Sequence, residues 1–130
     1  MDAITKVWSE WKTESELGHG AFGRVYKVKR EEFGTVSYAA VKVIQIPQDE
    51  SEIRELENTG MDLPSIKAFF EGTVKNLVNE IQILTSLKTA GNIVSIEDYK
   101  IVRHEDGVRW SVYIRMELLE SLTTYLSRVN

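Results

Sequence analysis

The chain contains no cysteine and only two histidines, His19 and His104, among its 130 residues. A disulfide frame and a thiolate metal site are thereby excluded, and two widely separated imidazoles do not predict a zinc centre. Proline is as scarce, with Pro47 and Pro64 alone. No apolar run approaches the roughly 20 residues that cross a bilayer, and the opening MDAITKVWSEWK has neither the basic nor the apolar region of a secretory leader. The expectation is a cytoplasmic chain with no membrane contact of its own. Basic residues number 16 against 20 acidic ones, a formal charge of -4, and they are scattered singly. Nucleic acid, whose binding rests on neutralised phosphates, is not an expected partner. What remains is ordinary globular composition, 42% hydrophobic and 28% charged, enough for one folded domain with one core.

Periodicity divides the chain. Ile4, Val7, Trp8 and Trp11 fall at helical spacing in a short N-terminal extension, residues 1–12, expected to pack onto a following sheet. Residues 13–130 read as one α+β unit. Thr13 to Leu17 and Arg24 to Lys29 are strand-like around a glycine turn, a further turn lies at Glu31 to Gly34, and Val36 to Ile46 is a third strand. Pro47 ends it. Gln48 to Gly60 is a short, charged helix with a solvated face, and Asp62 caps a long helix running to about Lys88, which Gly72 could bend. Two more strands, Ile93 to Val102 and Val108 to Met116, flank an Asp106-Gly107 turn, and a last helix covers about Ser121 to Val129.

Two features carry chemistry. Residues 17 to 28, LGHGAFGRVYKV, hold Gly18, Gly20 and Gly23 in a Gly-x-Gly-x-x-Gly frame, which serves either a phosphate or a tight hairpin. A dinucleotide-binding unit needs a helix after the glycines, whereas a strand follows here, and no Gly-Lys-Ser/Thr of a P-loop is present. The second feature is Lys42 inside the apolar run VSYAAVKVIQI. A solubilising lysine on an edge strand is the plain alternative.

Taken together, Gly18-His19-Gly20-Ala21-Phe22-Gly23-Arg24-Val25 followed by Ala40-Val41-Lys42 resembles the N-terminal lobe of the protein kinase family, of the eukaryotic Ser/Thr type. The likeness continues through Glu80 in the long helix, then Leu84, Leu87 and Asn92-Ile93-Val94, to Met116-Glu117-Leu118-Leu119 in the place of the family's hinge. The resemblance implies a five-stranded antiparallel sheet, a long helix equivalent to the family's C helix, an extra short helix before it and a C-terminal helix. It also implies an ATP site. Leu17, Gly18, Gly20, Phe22, Gly23, Val25, Ala40, Lys42, Met116, Glu117 and Leu119 would surround the nucleotide, with Met116 as gatekeeper and the backbone of Glu117 and Leu119 meeting adenine. Lys42 would hold the α- and β-phosphates and Glu80 would orient Lys42 by an ion pair. Leu84 and Ile96 would belong to the family's internal hydrophobic stack.

The spacing from Lys42 to Glu80 exceeds the family's usual gap by the 48–60 segment, which leaves Glu71 as a weaker candidate partner. Neither His-Arg-Asp nor Asp-Phe-Gly occurs, so the base and the Mg2+ ligands of the family are missing, and residue 130 falls where the larger lobe would begin. The expectation is a lobe that binds ATP weakly, does not transfer phosphate alone, would meet Mg2+ and a protein substrate only through the missing lobe, and self-associates through Leu118, Leu119, Leu122, Leu126 and Val129. The alternative is a non-catalytic kinase-like lobe or pseudokinase that acts by binding a protein.

Overall fold

The computed structural model describes residues 2–20, 23–86 and 95–118. Element order is α1 (Ala3–Val7), β1 (Lys12–Gly20), β2 (Gly23–Glu32), β3 (Thr35–Ile46), α2 (Glu50–Asn58), α3 (Leu63–Ser86), β4 (Ile96–Arg103) and β5 (Trp110–Glu117). All strand pairs are antiparallel, in the spatial order β1-β2-β3-β5-β4. Lys42 therefore lies on the middle strand, which rules out the edge-strand explanation for it. The helix expected at 121–129, together with Phe22, Leu87, Asn92-Ile93-Val94 and Leu119, lies outside the described residues.

Local chemistry explains the ends of these elements. The turn joining β2 and β3 places Phe33 at φ 51° and Gly34 at φ 78°, the paired left-handed geometry of a tight hairpin. Asp49 caps α2 by accepting from Ser51 N at 3.0 Å. At the other end Met61 N reaches Leu56 O and Gly60 N reaches Glu57 O, with Gly60 at φ 92°, a Schellman stop. Asp62 caps α3 from Ser65 N at 2.9 Å, and Gly72 lies inside α3 without ending it. Between β4 and β5 the Asp106 carboxylate accepts from Val108 N and Arg109 N at 2.8 and 2.9 Å. Those two bonds hold its pKa below the ordinary carboxylate value.

Strand alternation gives the sheet two faces, and both are covered. One face packs Ile46, Val112 and Ile114 under Ile66, Phe70, Val74 and Ile81 of α3, joined by Ile53 and Leu56 of α2. So α2 is not merely a solvated charge run: its apolar side closes this core while Glu50 pairs with Arg109 of the β4–β5 turn. The other face packs Val28, Ala39, Val41 and Tyr113 under Ile4, Trp8 and Trp11. Helix α1 ends at Val7, so the two tryptophans pack from the chain that follows it rather than from the helix. The N-terminal extension is thus part of the domain's own core.

Candidate functional site

Register decides which of the sequence-selected residues meet. Gly18 stands opposite Val25 and Gly20 opposite Gly23 in the β1–β2 hairpin. Val25 stands opposite Lys42, and Ala40 opposite Met116. Because alternate residues share a face, Val25, Ala40, Lys42 and Met116 all lie on the α3 side of the sheet. Leu17 is the extra residue of a bulge between Glu16 and Gly18, directly before this row. Glu117 closes β5, with its N–H donated to Ser95 O at 2.9 Å.

The three glycines do not do the same work. A methyl group on Gly23 would fall 2.2 Å from the carbonyl oxygen of Val43, and its φ of 127° is itself closed to ordinary side chains. Gly23 is glycine because β2 crosses close to the β3 backbone. At Gly20, by contrast, an added methyl would meet nothing within 4 Å among the described residues, and no positive φ is required. The fold does not ask for glycine there, which leaves its backbone open to an approaching group.

Lys42 is half-buried, and its ammonium has no hydrogen-bond or ion-pair partner among the described residues. Two neighbouring cations of the same face are committed. Lys27 sits 3.4 Å from Glu14 and 4.5 Å from the centre of the Tyr38 ring, and Lys29 lies 3.5 Å from Glu31. Lys42 opens into a cleft of about 630 Å³ between β3 and α3, whose walls include Ile44, Ile46, Phe70, Thr73, Leu77 and Glu80. Phe69, Thr73, Asn76 and Glu80 line it from one stripe of α3. Their spacing is helical, so Thr73 and Asn76 were readable as cleft residues once Glu80 was chosen.

The ion pair expected between Lys42 and Glu80 is not formed: the two line one cleft but do not come within 4 Å. Glu71 is eliminated as the substitute. It pairs with Lys75 at 3.9 Å and borders a different groove, on the β4–β5 side of α3. Glu52 of α2 also reaches the Lys42 cleft, a second carboxylate that the charge pattern of 48–60 did not single out. Leu84 is half exposed, whereas Ile96 packs against the α3 core.

The residues present suit an anionic, partly apolar ligand. Lys42 supplies an uncommitted charge on a strand braced from both sides, and Ile44, Phe70 and Leu77 supply apolar walls. Val25, Ala40 and Met116 share its face of the sheet without lining the cleft, Ala40 being fully buried, and Gly20 and Gly23 border a separate groove with Arg24, Tyr26 and Val43. For a divalent metal there is no comparable set, since no group of three or more metal-binding side chains occurs among the described residues. None of the described helices is long and apolar enough to cross a membrane. No family model matches the chain, and no curated protein matches it.

Proposed function

We propose that this chain is the nucleotide-binding lobe of a Ser/Thr protein kinase-like enzyme, with ATP as its ligand. The observation that carries the proposal is the shared face of Val25, Ala40, Lys42 and Met116, on which the Lys42 ammonium has no ion-pair partner among the described residues. Bound there, ATP would supply the transferable phosphoryl group. Lys42 would neutralise its inner phosphates, the backbone at Gly18 and Gly20 would close over them, and Val25 and Ala40 would cover the base. Glu80 would then move onto Lys42 and fix its rotamer. The base and metal ligands absent from these 130 residues make the chain inactive by itself in this reading, and the protein substrate would bind elsewhere.

One observation favours a second reading. The open Lys42–Glu80 arrangement also suits a kinase-like lobe that never closes and serves as a protein-binding module. Titration of the 15N-labelled chain with ATP separates the two. Saturating shifts at Gly18, Gly20, Val25, Ala40 and Lys42, with a dissociation constant of about 1 mM, are expected for the nucleotide-binding lobe. Absence of saturable shifts at about 10 mM ATP would leave the binding-module reading standing.

A further inference from the structure

A polar and aromatic cluster lies not in the cleft but on the opposite face of the sheet, one residue away from Met116. The Arg115 guanidinium lies between two indole rings, 4.9 Å from the centre of Trp8 and 5.0 Å from that of Trp11. Its Nε donates to Glu97 at 3.0 Å. Trp8 Nε1 donates to Asp98 at 3.1 Å, and the Trp8 ring meets Tyr113 edge-on at 6.5 Å. A bulge makes this possible: Ile96 stands opposite Met116 and Asp98 opposite Arg115, leaving Glu97 as an extra residue. Two successive carboxylates thereby serve one arginine and one indole, where an unbroken strand would turn the second away.

Packing alone does not call for this arrangement. A leucine at 115 would fill the space under Trp8 and Trp11 without partly desolvating a guanidinium, and an ion pair whose carboxylate is open to solvent, as Glu97 is, contributes little to stability. What such a set does well is hold one register, because a shift of one residue breaks every bond in it. The register it holds is that of β4 against β5 at Ile96 and Met116, the end of the sheet where the base would be read.

We infer that residues 2–11 form a positioning strap for the adenine end of the site, acting through Arg115. The inference rests on the nucleotide-binding reading. Arg115 touches no ligand: it fixes Met116 and Glu117 along the strand, and the strap fixes Arg115. A lifted strap would loosen the base-binding edge while leaving Lys42 and the glycine hairpin untouched.

Adenosine and ATP provide the test, each titrated into the wild-type chain, Arg115→Met, Arg115→Lys and Trp8→Phe and followed by amide NMR. Arg115→Met should weaken adenosine and ATP by the same factor, about threefold to tenfold, and shift the Met116 and Glu117 amides but not those of Gly18 and Gly20. Arg115→Lys should recover most of the affinity. If Arg115→Met does not fold, Trp8→Phe, which keeps an aromatic ring and loses the Asp98 bond, should show the same pattern at smaller size. A folded variant with wild-type adenosine affinity and unmoved Met116 and Glu117 amides would overturn the strap while leaving the nucleotide reading intact. A wild-type chain that binds neither ligand would overturn both.

Discussion

The α-carbon of Gly23 is pressed against the carbonyl of Val43 so closely that an added methyl would lie 2.2 Å from the oxygen, whereas one on Gly20, three residues earlier, would meet nothing within 4 Å among the described residues. The two glycines should therefore separate in mutagenesis. Gly23→Ala is expected to destabilise the fold by about 2 kcal/mol or more, from the left-handed φ and the clash together. Gly20→Ala should melt like the wild type and act on nucleotide affinity alone. Paired thermal melts and ATP titrations would show this, and equal loss of stability in both variants would contradict it.

Lys42 is expected to serve phosphate rather than stability. Replacing it with methionine removes no ion pair within the described residues, so Lys42→Met should fold with unchanged or slightly raised stability. Its ATP affinity should fall about tenfold, the size of one lost charge-assisted contact, with adenosine affinity unaltered. Parallel titrations with the two ligands decide the matter.

Much of this was legible beforehand, and the residues show why. Strands, α2, α3 and the hairpins follow from alternation, from caps such as Asp62, and from the turn at Asp106-Gly107, all of them local. The uncommitted state of Lys42 was not legible, because it depends on where Glu52 of α2 and Glu80 of α3, the carboxylates bordering its cleft, come to lie. Nor was the reason for Gly23: the frame allowed either a phosphate or a tight hairpin, and the close contact with Val43 belongs to the β2–β3 pairing. The Lys42–Glu80 distance depends on how α2 and α3 pack, which no motif specifies.

Asp2 gives the strap a pH dependence. Burial raises the pKa of its carboxyl, but hydrogen bonds from Thr13 and Ile4 outweigh that and leave it below the ordinary 3.8. A group depressed on folding contributes stability above its unfolded value and loses it as pH falls through the folded one. As pH falls below the ordinary carboxylate value the amides of Thr13 and Ile4, which donate to Asp2, should therefore broaden or shift, and Asp2→Asn should flatten that change.

Phe33 occupies a left-handed turn position with its ring fully in solvent. Asparagine or glycine suits that conformation better and buries no less. Phe33→Asn should raise stability by about 1 kcal/mol without affecting the site, as measured by denaturant midpoint at constant m-value.

Two residues of α3 three positions apart should differ sharply. Ile81 is 1% exposed inside the α3 core and Leu84 is 52% exposed. Ile81→Ala should cost about 2 to 5 kcal/mol, and Leu84→Ala well under about 1 kcal/mol. Comparable losses would mean that Leu84 is covered in solution, by a second copy or by residues outside those described.

The outer strand β1 carries two irregularities, at Thr13/Ser15 and at Glu16/Gly18, and exposes Lys12, Glu14 and Glu16. A buckled, charged border is a poor template for another chain's backbone. Stacking of copies edge to edge is therefore opposed on this side by shape and charge, and the Thr13 N–H is already taken by Asp2 of the segment that carries α1. Concentrated samples should resist fibril growth from β1, and replacing Glu14 and Glu16 with threonine is the change that would invite it.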